Sequence, residues 1–347
     1  MNAAIFNPNS EHTFDLASLN TILSKYKESH LPSSLWQIAN TAIPFFSVMA
    51  LMYFTSYKGY WPVTLLLAVP ASGLLMRVFI IQHDCGHGSF FKSTRANDWL
   101  GAVLGVLTLT PYTYWKQTHA IHHSTSGNLD RRGYGDIETL TVKEYAALTS
   151  WGRWKYRAYR SIPVLFFIGP AFHFVVYHRW PGIIPADWKA ERRSILLNDL
   201  ALVALLALAH YTIGLKHFFL VQLAVGIMTA IAGVWFFYVQ HQFKGAYWRR
   251  EDKWNLVEAS LRGSSFYDLP AVLQWMTGNI GFHHIHHLNS RIPNYKLERC
   301  MLENPVLQNP SRLTLWKSFK CVFLTLWDEE RQELVRFEDV APSVKVP

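Results

Sequence analysis

The chain has 347 residues, of which half are apolar and 15% are aromatic, but only 16% are charged, against about 25% in soluble globular proteins. This deficit indicates a membrane protein, and the net charge of +9 suits anionic lipid head groups or an acidic protein partner. No zinc-finger spacing or basic helix supports a nucleic-acid-binding protein. The three cysteines, Cys85, Cys300 and Cys321, are isolated, so they imply no disulfide framework and fit a reduced, cytosol-facing chemistry.

The N-terminal segment, residues 1–34, is predicted to be cytosolic or interfacial and not a cleavable signal peptide. It opens with a polar stretch that contains Glu11 and Asp15, and it lacks a basic head followed by an apolar core. Between Phe14 and Tyr26, apolar residues recur at helical spacing: Leu16, Leu19, Ile22 and Leu23. We therefore expect an amphipathic helix on the membrane surface.

Four stretches are long and apolar enough to span a membrane, which takes roughly 20 residues. They lie at about residues 35–55, 60–80, 195–213 and 218–238. The short connectors SYKGY and TIGLKH join them into two helical hairpins. Arg77 lies near the end of the second stretch, where it can reach the interface, and Asp199 near the start of the third is similarly tolerable.

Two further uncharged stretches, Trp99–Trp115 and Ser161–Tyr177, are at the lower limit of spanning length. If either crossed the bilayer, the histidine clusters described below would lie on opposite faces, so both are predicted to be interfacial or re-entrant. Residues 82–160 and 239–347 hold ten and fourteen Lys or Arg, while each hairpin connector holds one Lys. By the positive-inside rule, both long segments and both termini face the cytoplasm.

These patterns predict an all-α integral membrane protein. Four transmembrane helices in two hairpins form a domain of residues 35–300, and a cytosolic helical cap holds the histidine clusters, whose spacing, described next, predicts a site for two metal ions. Residues 301–347 form the C-terminal part of the cap. A late amphipathic helix is predicted there from five apolar residues: Leu313, Trp316, Phe319, Val322 and Phe323.

Three clusters bring together histidines with the spacing of metal ligands. HDCGH contains His83 and His87, an i, i+4 pair beyond the second span. HAIHH and HHIHH repeat the spacing H-x-x-H-H, with His119, His122 and His123 in the first and His283, His286 and His287 in the second. On an α-helix each residue advances about 100°, so each repeat places three imidazoles on one face, and the i, i+4 pair is about 40° apart.

Neutral imidazole is a common metal ligand, so each cluster is predicted to form half of a metal shell. Eight ligands are too many for one tetrahedral zinc ion but enough for two metal ions. His241, where the fourth span ends, is a ninth candidate. The alternatives for it are a role in orienting the ligands or a structural role at the helix end. His284 lies at the edge of the arc and is predicted to be a neighbour of the ligands. Six further histidines are given no role: His12, His30, His173, His178, His210 and His217.

Polar residues near the clusters are candidates for orienting the ligands, because a ligating histidine commonly donates its other ring N–H to a carboxylate or carbonyl group. Asp136, in NLDRRGYGDIET, is one candidate, although a solvated loop residue beside glycines has the same pattern. Asp84 and Asn279 are similar candidates. Cys85 is predicted to be a small packing residue and not a ligand.

At these motifs the sequence resembles the membrane-bound fatty acid desaturases, the family with three histidine boxes. The resemblance covers about residues 60–300 and rests on HDCGHGSFF, HAIHHSTSGNLDRRGYGDIETLTVKEY and GNIGFHHIHHLNSRIPNYKL. It implies a four-span fold and a non-haem di-iron centre at the cytosolic membrane boundary. The implied iron ligands are the eight clustered histidines, and the family's additional single histidine maps to His241.

The sequence departs from the acyl-CoA desaturases at two points. Those enzymes have an asparagine four residues before the single histidine, which reaches the metal through water. In this chain that position is Phe237, and Gln240 or Asn279 is the candidate for the role of the asparagine. The first box also has three intervening residues in place of four, and its flanks are most similar to the acyl-lipid omega-6, or Δ12-type, desaturases.

The resemblance implies an O2-dependent oxidoreductase that inserts a cis double bond into the acyl chain of a membrane lipid, with oleoyl to linoleoyl as the expected conversion. It implies two iron ions as cofactors and O2 as co-substrate. The sequence contains no flavin or nicotinamide glycine motif and no His-Pro-Gly-Gly of a fused b-type cytochrome. Electrons are therefore expected from a separate donor, a ferredoxin or a similar acidic carrier, that docks on the basic cap.

Three other functions stay open at this point. Hydroxylases and ketolases of the same superfamily use the same boxes. A zinc-dependent membrane hydrolase would need only three ligands per metal ion and would leave most of these histidines unexplained. A metal transporter would need polar ligands within the spans, which carry almost none beyond Asp199 and His210. Acyl-lipid, acyl-CoA and acyl-carrier-protein substrates, the bond position and the oligomeric state are also open.

Overall fold

The computed structural model describes residues 16–340, and most of them are helical. In chain order the helices are α1 Leu16–Ser24, α2 Leu31–Tyr57, α3 Trp61–Gly86, α4 Thr94–Leu107, α5 Tyr112–Thr125, α6 Val142–Ala147, α7 Ser150–Tyr159, α8 Gly169–Val175, α9 Lys189–Thr212, α10 Leu215–His241, α11 Leu256–Gly263, α12 Ala271–Met276, α13 His283–Leu288, α14 Asn294–Glu303 and α15 Leu315–Ser318. The strands are β1 Phe266–Asp268, β2 Arg312–Thr314, β3 Leu326–Asp328 and β4 Glu333–Val335. β1 is parallel to β2, and β3 is antiparallel to β4.

The predicted helical class is confirmed, with these two small sheets as unpredicted additions to the cap.

Helices α2, α3, α9 and α10 are long and apolar enough to cross a membrane, and they lie at the four predicted spans. α2 and α3 form one hairpin, and α9 and α10 form the other. α3 packs against both α2 and α10, and their shared core includes Met52, Ala71 and Val225, all fully buried. A small residue such as Ala71 allows close approach of helix backbones, which supports packing within a membrane.

α3 and α10 continue beyond their predicted ends, at residues 80 and 238, to Gly86 and His241. The apolar composition stops where a helix leaves the membrane, but the backbone hydrogen bonds continue. α3 ends just before Gly88, whose φ of +66° is typical of a glycine that follows a helix. The last turns of two spanning helices therefore carry His83 and His241.

Arg77 does not extend to the interface, contrary to our expectation. Its side chain is buried, and Nε donates a hydrogen bond to Thr41 Oγ1 at 3.0 Å while Nη1 donates to the carbonyl oxygen of Trp275. Its guanidinium also lies 4.2 Å from the centre of the Trp275 ring. These neutral partners take the place of water, so Arg77 ties α12 to α2 and α3.

The two shorter apolar stretches differ from the spans. The first stretch, Trp99–Trp115, is divided between α4 and α5 by a turn in which Leu109 has a φ of +55°. The second contains a π-helical turn, Val164–Ile168, and meets α7 at an angle of 58°. It is long enough to cross a membrane only when both bent arms are counted as one span. The interfacial or re-entrant placement of both stretches stays a prediction.

The N-terminal amphipathic helix is present as α1, but its apolar face packs on protein. Leu19 and Leu23 are buried against Phe282 and Ile285 of the cap. Leu19 and Leu23 therefore pack on protein and not on a lipid surface. The features that we noted in the sequence at Glu11, His12, Phe14 and Asp15 lie outside the described residues.

The predicted late amphipathic helix is wrong. Leu313 belongs to β2, where it pairs with Tyr267 of β1. The rest of the segment forms the single turn α15 and a 3-10 turn, Cys321–Phe323. Pairing with β1 overrides the helical spacing here, because it buries Leu313 in the cap while Trp316 stays exposed.

Candidate metal centre

Four elements bring the nine predicted histidine ligands to one end of the spanning helices. α3 and the residue after it carry His83 and His87, α5 carries His119, His122 and His123, α10 carries His241, and α13 carries His283, His286 and His287. α13 is docked closely on β1, because Tyr267 N donates to the carbonyl oxygen of Gly281 at 2.8 Å. A β-carbon on Gly281 would lie 2.4 Å from the carbonyl oxygen of Tyr267, so the approach requires glycine.

The nine histidines form two groups, each drawn from several elements. Five have ligand atoms within 4.8 Å of one another and make up the first group: His83, His87, His119, His123 and His286. Four more within the same distance make up the second group: His122, His241, His283 and His287. We expected one half-shell per sequence cluster, but each H-x-x-H-H set is divided between the two groups. An arc of about 100° is wide enough to face two sites at once.

In the second group, hydrogen bonds fix which ring nitrogen points inward. His122 Nδ1 donates to Asp136 Oδ1 at 2.8 Å, and His241 Nδ1 donates to the carbonyl oxygen of Gly263 at 3.1 Å, because both oxygens can only accept. In a neutral imidazole whose Nδ1 carries the hydrogen, Nε2 carries the lone pair. The two Nε2 atoms lie 3.2 Å apart, and His283 Nε2 lies 3.0 Å from that of His241. Facing lone pairs repel unless a cation lies between them, so the donors fit a metal ion.

The first group has an equivalent carboxylate. His83 Nδ1 donates to Asp84 Oδ1 at 3.2 Å. Asp84 Oδ2 accepts from Asn294 N at 2.7 Å and from Asn294 Nδ2 at 2.8 Å. This buried carboxylate therefore orients one imidazole of the first group, as Asp136 does in the second.

Other imidazoles converge without enough hydrogen-bond donors. His123 Nε2 lies 3.1 Å from His119 Nε2 and 3.0 Å from His286 Nε2. One nitrogen can hold at most one hydrogen, so these three atoms cannot satisfy one another fully. Within the described part of the chain, His87 Nε2 and His287 Nε2 are buried without any hydrogen-bond partner. These unsatisfied nitrogens also fit metal binding.

Five of the clustered imidazoles are in the form that binds metal. Burial and, after it, the neighbouring imidazoles lower the pKa well below the usual 6.5 in five histidines outside the spans: His119, His123, His283, His286 and His287. These rings are therefore neutral at pH 7 and keep a free lone pair. A donor set made only of imidazole nitrogen suits iron, zinc, copper or nickel.

Gln240 and Asn279, the other polar candidates, make hydrogen bonds away from the histidines. Gln240 Nε2 donates to the carbonyl oxygen of Ile280 at 3.0 Å. Asn279 has a φ of +60°, and its Nδ2 donates to the carbonyl oxygen of Asn294 at 3.4 Å. Both therefore brace the segment that leads into α13, and their role toward the metal stays a prediction.

His284 belongs to neither group. Its Nε2 donates to the carbonyl oxygen of Leu307 at 3.3 Å, and burial lowers its pKa to about 4. Cys85 lies apart as well, packed in an apolar cluster with Phe90 and Tyr112. Both residues are placed as the sequence predicted, beside the site without contributing to either group.

Two aromatic residues lie beside the groups, and the sequence analysis assigned neither of them a contact with the histidines. Trp115 stacks on the His119 ring, with centroids 4.6 Å apart and planes at 18°. The Phe237 ring lies 5.1 Å from that of His122 and 5.7 Å from that of His241. Each aromatic residue precedes a histidine of its own helix by four positions, so i, i+4 spacing was the signal that could have identified them.

Comparisons with known proteins cover the part of the chain that holds this site. The family model described as fatty acid desaturase matches residues 58–316, which include all nine histidines. A fatty acid desaturase of Bacillus subtilis is 43% identical over 318 residues, covering 92% of this chain and 90% of that protein. An sn-1 acyl-lipid omega-3 desaturase (ferredoxin) of Synechocystis is 27% identical over 273 residues, covering 73% of this chain and 71% of that protein. An sn-1 oleoyl-lipid 12-desaturase of Anabaena variabilis is 27% identical over 233 residues, covering 63% of this chain and 62% of that protein.

Proposed function

This chain belongs to the fatty acid desaturase family, and we propose that it inserts a cis double bond into an acyl chain of a membrane lipid with two iron ions as cofactor. The observation that carries this proposal is the pair of all-histidine groups at one end of four apolar helices. When bound, the two ions would supply the O2-dependent removal of hydrogen from neighbouring methylene groups, with O2 reduced to water.

Residues of this chain have distinct parts in the proposed reaction. The first and second histidine groups would each hold one ion. Asp84 and Asp136 would fix the rings of His83 and His122 so that Nε2 faces the ion. Trp115 and Phe237 would keep water from the imidazoles by covering them with apolar surface.

The substrate is inferred from the relatives and from the membrane setting. The Synechocystis and Anabaena relatives act, by their names, on acyl lipids and on an oleoyl lipid. We infer that this chain acts on acyl chains of membrane lipids and converts oleoyl to linoleoyl chains.

The positive-inside distribution of Lys and Arg supports a site and two termini that face the cytoplasm.

Expression in a host without polyunsaturated lipids tests this reaction, provided that ferredoxin and its reductase are supplied. We expect a new cis diene derived from oleoyl chains in the total fatty acids measured by gas chromatography and mass spectrometry. His210→Gln is the control for replacing a histidine ligand, as in His283→Gln. His210 is exposed in α9 and belongs to neither group, so this variant should give the same product as the wild type. A hydroxylated chain would identify a hydroxylase instead, and an unchanged lipid profile would contradict the proposal.

We propose that Arg291 binds the acidic electron donor beside the first group. It is exposed, and a β-carbon on Gly88, the residue after His87, would lie 3.9 Å from Arg291 Nη2. Among the described residues, none forms an ion pair with Arg291 within 4.0 Å. The Synechocystis relative is named with ferredoxin, which supports a donor of that kind.

Arg291→Glu should therefore raise the KM for ferredoxin on the order of tenfold and leave kcat unchanged, because charges at the edge of an interface act mainly on association. Steady-state kinetics at low and high salt measure this, and the difference should shrink at high salt. Lys58→Glu, the same change of charge in the α2–α3 connector, is the control. Equal effects of the two substitutions would exclude Arg291 as a docking residue.

A further inference from the structure

Arg160, the residue after α7, is a buried cation bonded only to neutral groups. Its side chain is 3% exposed. Nη1 donates to the carbonyl oxygen of Glu138 at 2.9 Å, and Nη2 donates to Tyr238 Oη at 3.0 Å and to the carbonyl oxygen of Leu324 at 2.9 Å. Burial of a guanidinium without a carboxylate is costly, so a contribution to stability does not by itself account for an arginine at this position.

The same guanidinium joins two segments that are far apart in sequence. Nη1 donates to Thr139 Oγ1 at 3.3 Å, and Nη2 donates to Gln242 Oε1 at 3.4 Å. Gln242 Nε2 in turn donates to Thr139 Oγ1 at 2.9 Å. Arg160, Thr139 and Gln242 therefore form a closed network, which we call the arginine clamp, between the loop after α5 and the end of α10.

Each segment held by the arginine clamp controls one imidazole of the second group. The loop carries Asp136, three residues before Thr139, and Asp136 orients His122 through its Nδ1. Gln242 directly follows His241 in the chain. The Nε2 atoms of these two histidines face each other at 3.2 Å, so their spacing depends on how the two segments are held.

We propose that Arg160 is a positioning residue that sets the geometry of the second histidine group. The inference rests on the proposed function, since it takes the second group to hold a metal ion. The hydrogen bonds of Arg160 to the described residues reach no segment that orients the first group. In that group Asp84, held by Asn294, orients His83. Loss of Arg160 should therefore weaken one metal site and spare the other.

Iron content of the purified full-length protein, measured by mass spectrometry, tests this selectivity. Arg160→Gln should retain about half of the wild-type iron, and Arg160→Lys an intermediate amount, because lysine keeps the charge but not the forked donors. Adding His83→Gln to Arg160→Gln should remove the remaining iron. Adding His241→Gln should cause no further loss, because it affects the site that is already empty.

Arg179→Gln is the matched control, because Arg179 is also largely buried but bonds to Asn198, Asp199 and the carbonyl oxygen of Leu109. It should keep the full iron content even if the melting temperature falls. Full iron in Arg160→Gln, loss of both ions, or an equal loss in Arg179→Gln would each overturn the inference.

If Arg160→Gln does not fold, Thr139→Val removes the shared hydroxyl of the arginine clamp at nearly constant volume. It should release iron from the same group, though less of it, and unchanged iron content would overturn the inference. A wild-type protein that binds no iron would contradict the proposed function itself. A comparison of iron content between the wild type and the Arg160 variants, by contrast, tests only the role of Arg160.

Discussion

Replacing His283 with glutamine should abolish desaturation and release iron, whereas the same replacement of His284 should retain the iron and part of the activity. His283 Nε2 lies 3.0 Å from His241 Nε2 inside the second group. His284 is equally buried but directs its Nε2 to the carbonyl oxygen of Leu307. A glutamine amide at position 284 can make the same donation, while no glutamine supplies the imidazole lone pair that position 283 provides.

These two variants control for each other, because they are adjacent, buried and carry the same substitution. Iron content and product formation in whole cells are measured for both. Equal loss of iron in the two variants would show that helix α13 has lost its structure and that ligation is not the cause. Full activity of His283→Gln would remove it from the set of ligands.

Replacing Asp136 with alanine should lower kcat/KM on the order of 10- to 100-fold, the usual effect of losing a carboxylate that orients a metal-bound histidine. Without Asp136, the His122 Nδ1–H loses its 2.8 Å partner and the ring is free to present the wrong nitrogen. Steady-state turnover and iron content measure the effect.

Asp130→Ala, in the same loop, is the control for this experiment. Asp130 is exposed and pairs with Arg250 at the surface, 2.7 Å away, so its loss should change kcat/KM by less than about twofold. A similar loss of activity in both variants would mean that the loop as a whole, and not the hydrogen bond to His122, supports catalysis.

The sequence predicted which histidines come together but not how they divide. Helical spacing is local, so the common face of His119, His122 and His123 follows from the chain alone. Their division between two groups depends on the approach of α10 and α13, which supply His241 and His286 from far along the sequence. Contacts of that kind depend on packing, which local periodicity does not encode.

The spans show the same limit. Apolar length was sufficient to predict four membrane helices, because lipid requires internally bonded segments of that length. It did not predict that α3 and α10 continue into the cap, since the extra turns are polar. Arg77 and Leu313 were placed wrongly because their partners, Trp275 and Tyr267, are distant in sequence.

The most direct test of the proposed two-iron centre is to locate iron in crystals of protein grown with iron, by anomalous diffraction at the iron absorption edge. We predict two peaks, one among the inward imidazole nitrogens of the first group and one among those of the second. A single peak, a peak outside both groups, or a signal only at the zinc edge would contradict the proposed two-iron centre.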